Sequence, residues 1–240
     1  RSIAIPPLGC GHGGLDWSDV EPLIMNAFQQ IPELEVKLFS PSHTPSKVEV
    51  IQTQKPKITL TRALIVKAMT LYKELDYELG NLEIQKLIYF VQEAGIKLGF
   101  KFIAHQFGPY TETLKHALVD MNGHYITGVG DYGKIASEIK PIPSVIDEVE
   151  DFLIEHSEET SDGLSKVKKV IDGYETPYGM ELLSSVHWVA TKKLGTKSDP
   201  VSTAEAAIKA VHGWSPRKKQ MFAEDHITKA WDHLHNLGWV

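Results

Sequence analysis

One stretch limits the possible folds more than any other: NLEIQKLIYFVQEAGIKLGFKFIAHQFGPYTETLK, from Asn81 to Lys115. Its first half carries apolar residues at Leu82, Ile84, Leu87, Ile88, Phe90, Val91, Ala94 and Leu98. That series wraps most of a helix, and a helix apolar nearly all round has to lie inside a domain. Asn81 reads as its cap and Gly99 as its stop. Lys101 to Phe107 reads as an extended return, and Pro109 opens the next helix, where its missing N–H would be unpaired anyway. The expectation is a buried axis on which the rest of the domain folds. Tyr89, Phe90 and Phe107 read as core packing, whereas Lys86, on an apolar helix, needs a partner or a route to water.

Helical patterns continue from Ile58 to the end of the chain. Thr61 reads as a cap for the first of them, Ser144 for Val145 to His156, and Ser161 or Asp162 for Leu164 to Ile171. Pro177, Ser202 and Pro216 open three more, the last running unbroken to Leu234. Tyr125 to Asp131, with Gly128 and Gly130, reads as a turn-rich insert forming a hairpin. Residues 58–240 are therefore expected to form a mainly α-helical domain with at most a small sheet. Residues 41–57, with Pro41, Pro45 and Pro56, have the composition of a semi-extended linker.

Composition excludes several classes. One cysteine in 240 residues rules out a disulfide framework and fits a reducing cytoplasm. No apolar run approaches the ~20 residues of a membrane span. A net charge of −6 argues against broad, sequence-blind adhesion to nucleic acid.

Residues 1–40 read differently. Ile3 to Ile5 is a short strand ended by Pro6-Pro7, followed by Leu8-Gly9-Cys10-Gly11-His12-Gly13-Gly14-Leu15-Asp16-Trp17. Pro22 is expected among the unpaired first positions of the following helix, which makes Asp19 its N-cap. Glu35 to Phe39 is a second strand. Strand, glycine loop, helix, strand is a βαβ unit, and such a loop can present N–H groups and a helix N-terminus to a phosphate. It can equally be no more than a tight turn. Because Arg1 already opens a strand, the chain is expected to be the tail of a longer one.

The run from Ile3 to Trp17 resembles the late phosphate loop of macrodomains, most closely the DarG antitoxin branch. The resemblance implies a C-terminal macrodomain fragment over residues 1–40, with Gly9, Cys10, Gly11, His12, Gly13, Gly14 and Leu15 as contacts for ADP-ribose. It implies an ADP-ribosyl glycohydrolase acting on thymidine in single-stranded DNA, with its catalytic lysine upstream of Arg1 and none in this fragment. Lys86, Leu87 and Tyr89, answered by Phe107-Gly108-Pro109, resemble both the toxin-binding domain of DarG and the Panacea, or SocA-like, antitoxin module. The implied partner is a DarT-like ADP-ribosyltransferase toxin, the fragment keeping the binding role. The alternative is a Panacea-like binding module without hydrolase activity.

A toxin that modifies single-stranded DNA needs a basic cleft, and an inhibitor gains from a negative face. Asp147, Glu148, Glu150, Asp151, Glu155, Glu158 and Glu159 form such a run, extended by Asp162, with no Lys or Arg among them. It reads either as a phosphate-backbone mimic or as an ordinary solvated face. The basic groups at Lys166, Lys168, Lys169 and at Arg217, Lys218, Lys219 read as solvated helix surface. His226, His233 and His235 diverge around a helix, so no metal is expected there. Cys10 reads as a small packed residue rather than a nucleophile.

Overall fold

The computed structural model describes residues 2–10, 15–28, 31, 35–39, 55–72, 79–129, 138–192, 194 and 199–240. Of the described residues 62% are helical, and the sheets among them are pairs of very short strands, so helix packing builds the core. The chain divides into two units, one at the N-terminus and one from Lys55 onward. Among the described helices, none is long and apolar enough to cross a membrane.

In the first unit, β1 (Ser2–Ile5) pairs in parallel with β2 (Glu35–Leu38), Ile3 opposite Val36 and Ile5 opposite Leu38. Helix α1 (Trp17–Phe28) makes the crossover, so the βαβ reading holds. Its start does not fall where expected. The Asp16 carboxylate accepts the Ser18 N–H at 2.9 Å and the Ser18 hydroxyl at 2.7 Å, and so caps the helix three residues before Asp19. Pro22 consequently lies inside α1, leaving the Ser18 carbonyl without its usual helical donor. Ile5 and Ile24 are buried, while Leu8, Leu15, Leu23, Met25 and Phe39 stay exposed.

The second unit is built on two helices buried along nearly their whole length. They are α3 (Asn81–Glu93), buried from Glu83 to Val91, and α7 (Pro177–Thr191), buried from Gly179 to Val189. Both helices were expected, but full burial was expected only of the first. Helix α2 (Leu60–Tyr72) covers one flank of α3, and Leu64, Ile65, Leu87, Ile88, Leu183 and Val186 belong to one continuous core. The Tyr89 hydroxyl meets His187 Nδ1 at 2.7 Å and ties the two buried helices together. Both rings are buried, as is Phe90.

Several boundaries shift for identifiable reasons. Thr59, not Thr61, caps α2, its hydroxyl accepting the Arg62 N–H at 3.3 Å. Gly80 precedes α3, and the Glu83 carboxylate reaches back to its N–H at 3.2 Å, so Asn81 is helical instead of capping. The helix ends at Glu93 and Gly95 takes φ 100°, which stops it a turn before Gly99. Pro109 opens no helix. It sits in a hairpin of β3 (Ile103–His105) and β4 (Gly108–Tyr110), opposite Ala104, and α4 (Glu112–Met121) starts three residues later. Its carbonyl is held by Lys86, which fixes the extended conformation.

The turn-rich insert does form a small antiparallel pair, β5 (Ile126–Thr127) with β6 (Lys140–Pro141). Helix α5 (Ile146–Glu155) follows a short 3-10 turn at Pro143–Val145, and α6 begins at once after it (Ser157–Ile171), so Ser161 and Asp162 lie within a helix and cap nothing. Pro177 does open α7, with the Thr176 hydroxyl accepting the Gly179 N–H. Thr203, not Ser202, caps α8 (Ala204–Trp214). The last stretch is two helices, α9 (Pro216–Met221) and α10 (Glu224–Asn236), broken at Phe222 and Ala223 where the backbone is extended. The linker reading of residues 41–57 falls mostly outside the described residues.

Close backbone approach makes one glycine irreplaceable and leaves another free. A Cβ at Gly179 would lie 2.6 Å from the Tyr174 carbonyl oxygen, whereas one at Gly213 meets nothing within 4 Å. Gly179→Ala should therefore destabilise the protein by about 1–3 kcal/mol. Gly213→Ala, in a helix, should stabilise it by about 0.5–1 kcal/mol. Urea unfolding of both variants checks the opposite signs.

Candidate functional site

Two regions were expected to carry chemistry, and a third emerges from the packing. At the glycine loop, Gly9 adopts φ 73° and a Cβ there would lie 2.5 Å from Leu15 Cδ1, so these two residues meet closely. The Leu15 N–H donates to the Gly9 carbonyl at 3.0 Å and the Cys10 N–H to the Pro7 carbonyl at 3.2 Å. These two amides serve the loop's own geometry. Cys10 Sγ sits 3.3 Å from the Leu8 carbonyl and is partly exposed. At the mouth of α1 the Asp16 carboxylate already occupies the Ser18 amide, and its bonds to Ser18 hold its pKa below the usual value. Gly11, His12, Gly13 and Gly14 lie outside the described residues.

The acidic run lies on α5 and the start of α6. Glu148 and Glu150 are engaged by Lys55 and Lys67, the latter pair at 2.6 Å. Asp147, Asp151, Glu155, Glu158 and Glu159 are exposed, with Ile154 standing among them 68% exposed. Ile154 is a single exposed apolar side chain within the acidic run, which by itself is ordinary for a protein surface.

The third region surrounds Lys86. This lysine does not reach water: it is 1% exposed and its ammonium donates to the Pro109 carbonyl at 2.6 Å. Burial drives its pKa down to about 7, against the opposing pull of the Glu181 carboxylate. Glu181 is itself buried on α7 and receives Arg217 on both oxygens, at 2.6 and 3.1 Å, and Lys218 at 2.8 Å. Lys218, fully buried, also donates to Ser185 Oγ at 2.9 Å and lies 4.9 Å from the centre of the Trp214 ring. Burial lowers its pKa as well. The reading of Arg217 and Lys218 as solvated surface is thus wrong, because a carboxylate hidden on α7 draws both inward. The clue was local: Pro216 starts a helix between Trp214 and Phe222, whose rings cover the lysine.

The β3–β4 hairpin folds over this cluster. Arg217 stacks on Phe107, 4.6 Å from the ring centre, and a Cβ at Gly108 would crowd Ser185 Oγ at 3.2 Å. Phe107 is 39% exposed, so it is a rim residue and not core. Beside it opens a cavity of about 380 Å³ between α3, the hairpin and α4. Two histidines of α10 serve structure: His226 Nδ1 meets the Tyr178 hydroxyl at 2.7 Å, and His233 Nε2 meets the Val170 carbonyl at 2.9 Å.

Burial also fixes the sign of the pH response. His187 is driven down to about pKa 3 by desolvation, helped by Lys192. Its neutral form is required in the fold, so stability should fall as pH drops from about 6.5 toward 3. Lys86, lowered to about 7, should add stability as pH rises from 7 toward 10, where the unfolded chain alone still holds that proton. Thermal melts across pH should show His187→Gln flattening the acid limb and Lys86→Met flattening the alkaline rise.

No protein-family model matches the chain. Curated proteins do match it. It is 40% identical, over 99% of its own length, to a DNA ADP-ribosyl glycohydrolase of Thermus aquaticus. It is 36% identical, over 97% of its length, to a protein of the same name from Mycobacterium tuberculosis. It spans 64% of the length of the first and 68% of the second.

Proposed function

Because the chain belongs to the DNA ADP-ribosyl glycohydrolase family, we propose that the whole protein removes ADP-ribose from thymidine in single-stranded DNA, and that the helical unit binds and silences the toxin that attaches it. The observation that carries this reading is alignment with proteins of that name along nearly the entire chain. The parallel βαβ unit with its glycine loop supports it, since that is the local structure a macrodomain offers to a diphosphate. ADP-ribose is the ligand assigned to Gly9–Leu15. Its diphosphate would be held by amides of the central glycines, since those of Cys10 and Leu15 are already bonded within the loop. The chemical step belongs to the whole protein and the partner step to the helical unit. Its compartment on this reading is the cytoplasm.

The partner is a DarT-like ADP-ribosyltransferase, whose single-stranded DNA cleft must be positive. The exposed carboxylates of α5 and α6 supply the complementary sign, and Ile154 gives them an apolar anchor that bare charge would lack. On this reading Asp147, Asp151, Glu155, Glu158 and Glu159 are the contacting set, since Glu148 and Glu150 are engaged within the fold.

Calorimetry of the chain against the toxin tests this directly. Reversing Asp151, Glu155, Glu158 and Glu159 to lysine should weaken binding more than a hundredfold, the rough cost of placing like charges across an interface. Unchanged affinity would sink the acidic-face assignment. Release of ADP-ribose from a modified thymidine oligonucleotide, followed by chromatography, is expected of the whole protein; its failure would sink the hydrolase reading.

A further inference from the structure

The cavity between α3, the hairpin and α4 has a chemistry that neither the glycine loop nor the acidic face accounts for. Leu82 and Leu118 are its apolar lining, and His105, Phe107 and Tyr110 bring three rings to it. The His105 and Tyr110 ring centres are 5.0 Å apart, and His105 is exposed. At about 380 Å³ the space lies within the range that small-molecule sites occupy.

The polar groups lining it point to an anion. The Lys86 ammonium has three N–H groups, and among the described residues only the Pro109 carbonyl accepts from it. A buried donor left unmet is costly, and an anion entering the cavity would meet it. Lys115 also lines the cavity and is paired with Glu112 at 3.0 Å in a half-exposed ion pair, the kind that exchanges readily for another anion. Asn81, exposed at the start of α3, contributes an amide that can both donate and accept. An apolar side chain from a protein partner would use the rings and leave Lys86 and Asn81 unanswered. A flat heterocycle carrying a phosphate uses all of them.

We propose that this cavity binds one nucleotide unit, its base against the His105, Phe107 and Tyr110 rings and its phosphate held by Lys115 and Lys86. Aromatic faces beside cations are how proteins hold single strands without reading sequence. The choice of a DNA strand over a free nucleotide rests on the hydrolase reading; the cavity itself does not. A strand held here would approach the protein at a positive spot despite the net charge of −6.

The test is calorimetric titration of the 240-residue chain, at low salt, with a ten-thymidine strand and with thymidine monophosphate. At least one probe should bind. Phe107→Ala should weaken it by roughly 5- to 150-fold, the range for losing a stacked base. Lys115→Gln, a surface change that leaves the core intact, should weaken it and lower the slope of log affinity on log salt by about 0.7. Lys229→Gln on α10 should change neither. Tighter binding of the strand identifies DNA as the source of the nucleotide, and equal binding identifies a free nucleotide. Overturning results are that neither probe binds, or that the affinity is indifferent to Lys115→Gln and Phe107→Ala. Because the readout needs neither toxin nor cleavage, such a result leaves the hydrolase and toxin-binding readings standing.

Discussion

A single buried carboxylate organises the helical unit. Glu181 lies on α7, 2% exposed, and such a charge is tolerable in a core only when its partners come with it. Arg217 and Lys218 answer it from α9, which fixes that short helix against α7. Arg217 then carries Phe107 on its guanidinium face, and Phe107 belongs to the hairpin whose Pro109 carbonyl takes Lys86. One ion cluster therefore sets the relative places of α3, α7, α9 and the β3–β4 hairpin. The cavity beside it inherits its shape from that arrangement.

The same cluster explains why part of this architecture could be read from the sequence and part could not. Helix α3 was legible because Leu82, Ile84, Leu87, Ile88, Phe90 and Val91 leave no polar face to turn outward. Helix α7 is equally buried, yet Glu181, Ser184, Ser185 and His187 interrupt its apolar pattern. Each of those side chains is satisfied inside the fold. Ser184 and Ser185 bond back to the Glu181 carbonyl and His187 bonds to Tyr89, and none of these pairings is visible from spacing. Lys218 was hidden for the converse reason: a run of three basic residues looks solvated until its long-range partner is known.

Local capping was the other blind spot. Asp16, whose own carboxylate takes the Ser18 amide, and Gly80, whose N–H is taken by Glu83 a turn later, precede helices where Asp19 and Asn81 were expected to cap. Pro109 shows the limit of a motif read in one dimension. A proline after glycine suits a helix start, but it suits a hairpin equally well, and Lys86, twenty-three residues away, decides between them. The strand, helix, strand order of the βαβ unit came out as read, although its helix begins three residues earlier than expected. Family membership adds a frame in which that unit and the helical unit share one task.

Concentrating two lysines and an arginine around one carboxylate has a thermal consequence. Withdrawing charged groups from water becomes less unfavourable on heating, since ionic hydration is entropically ordered and weakens as temperature climbs. The Glu181 cluster is thus a handicap that shrinks in the warm, while the apolar packing of α3 gains little more there. A protein keyed in this way should have a broad, flattened stability curve at its hot end, and sequence drift in hotter habitats would have reason to spare these four charges and to trim loops instead.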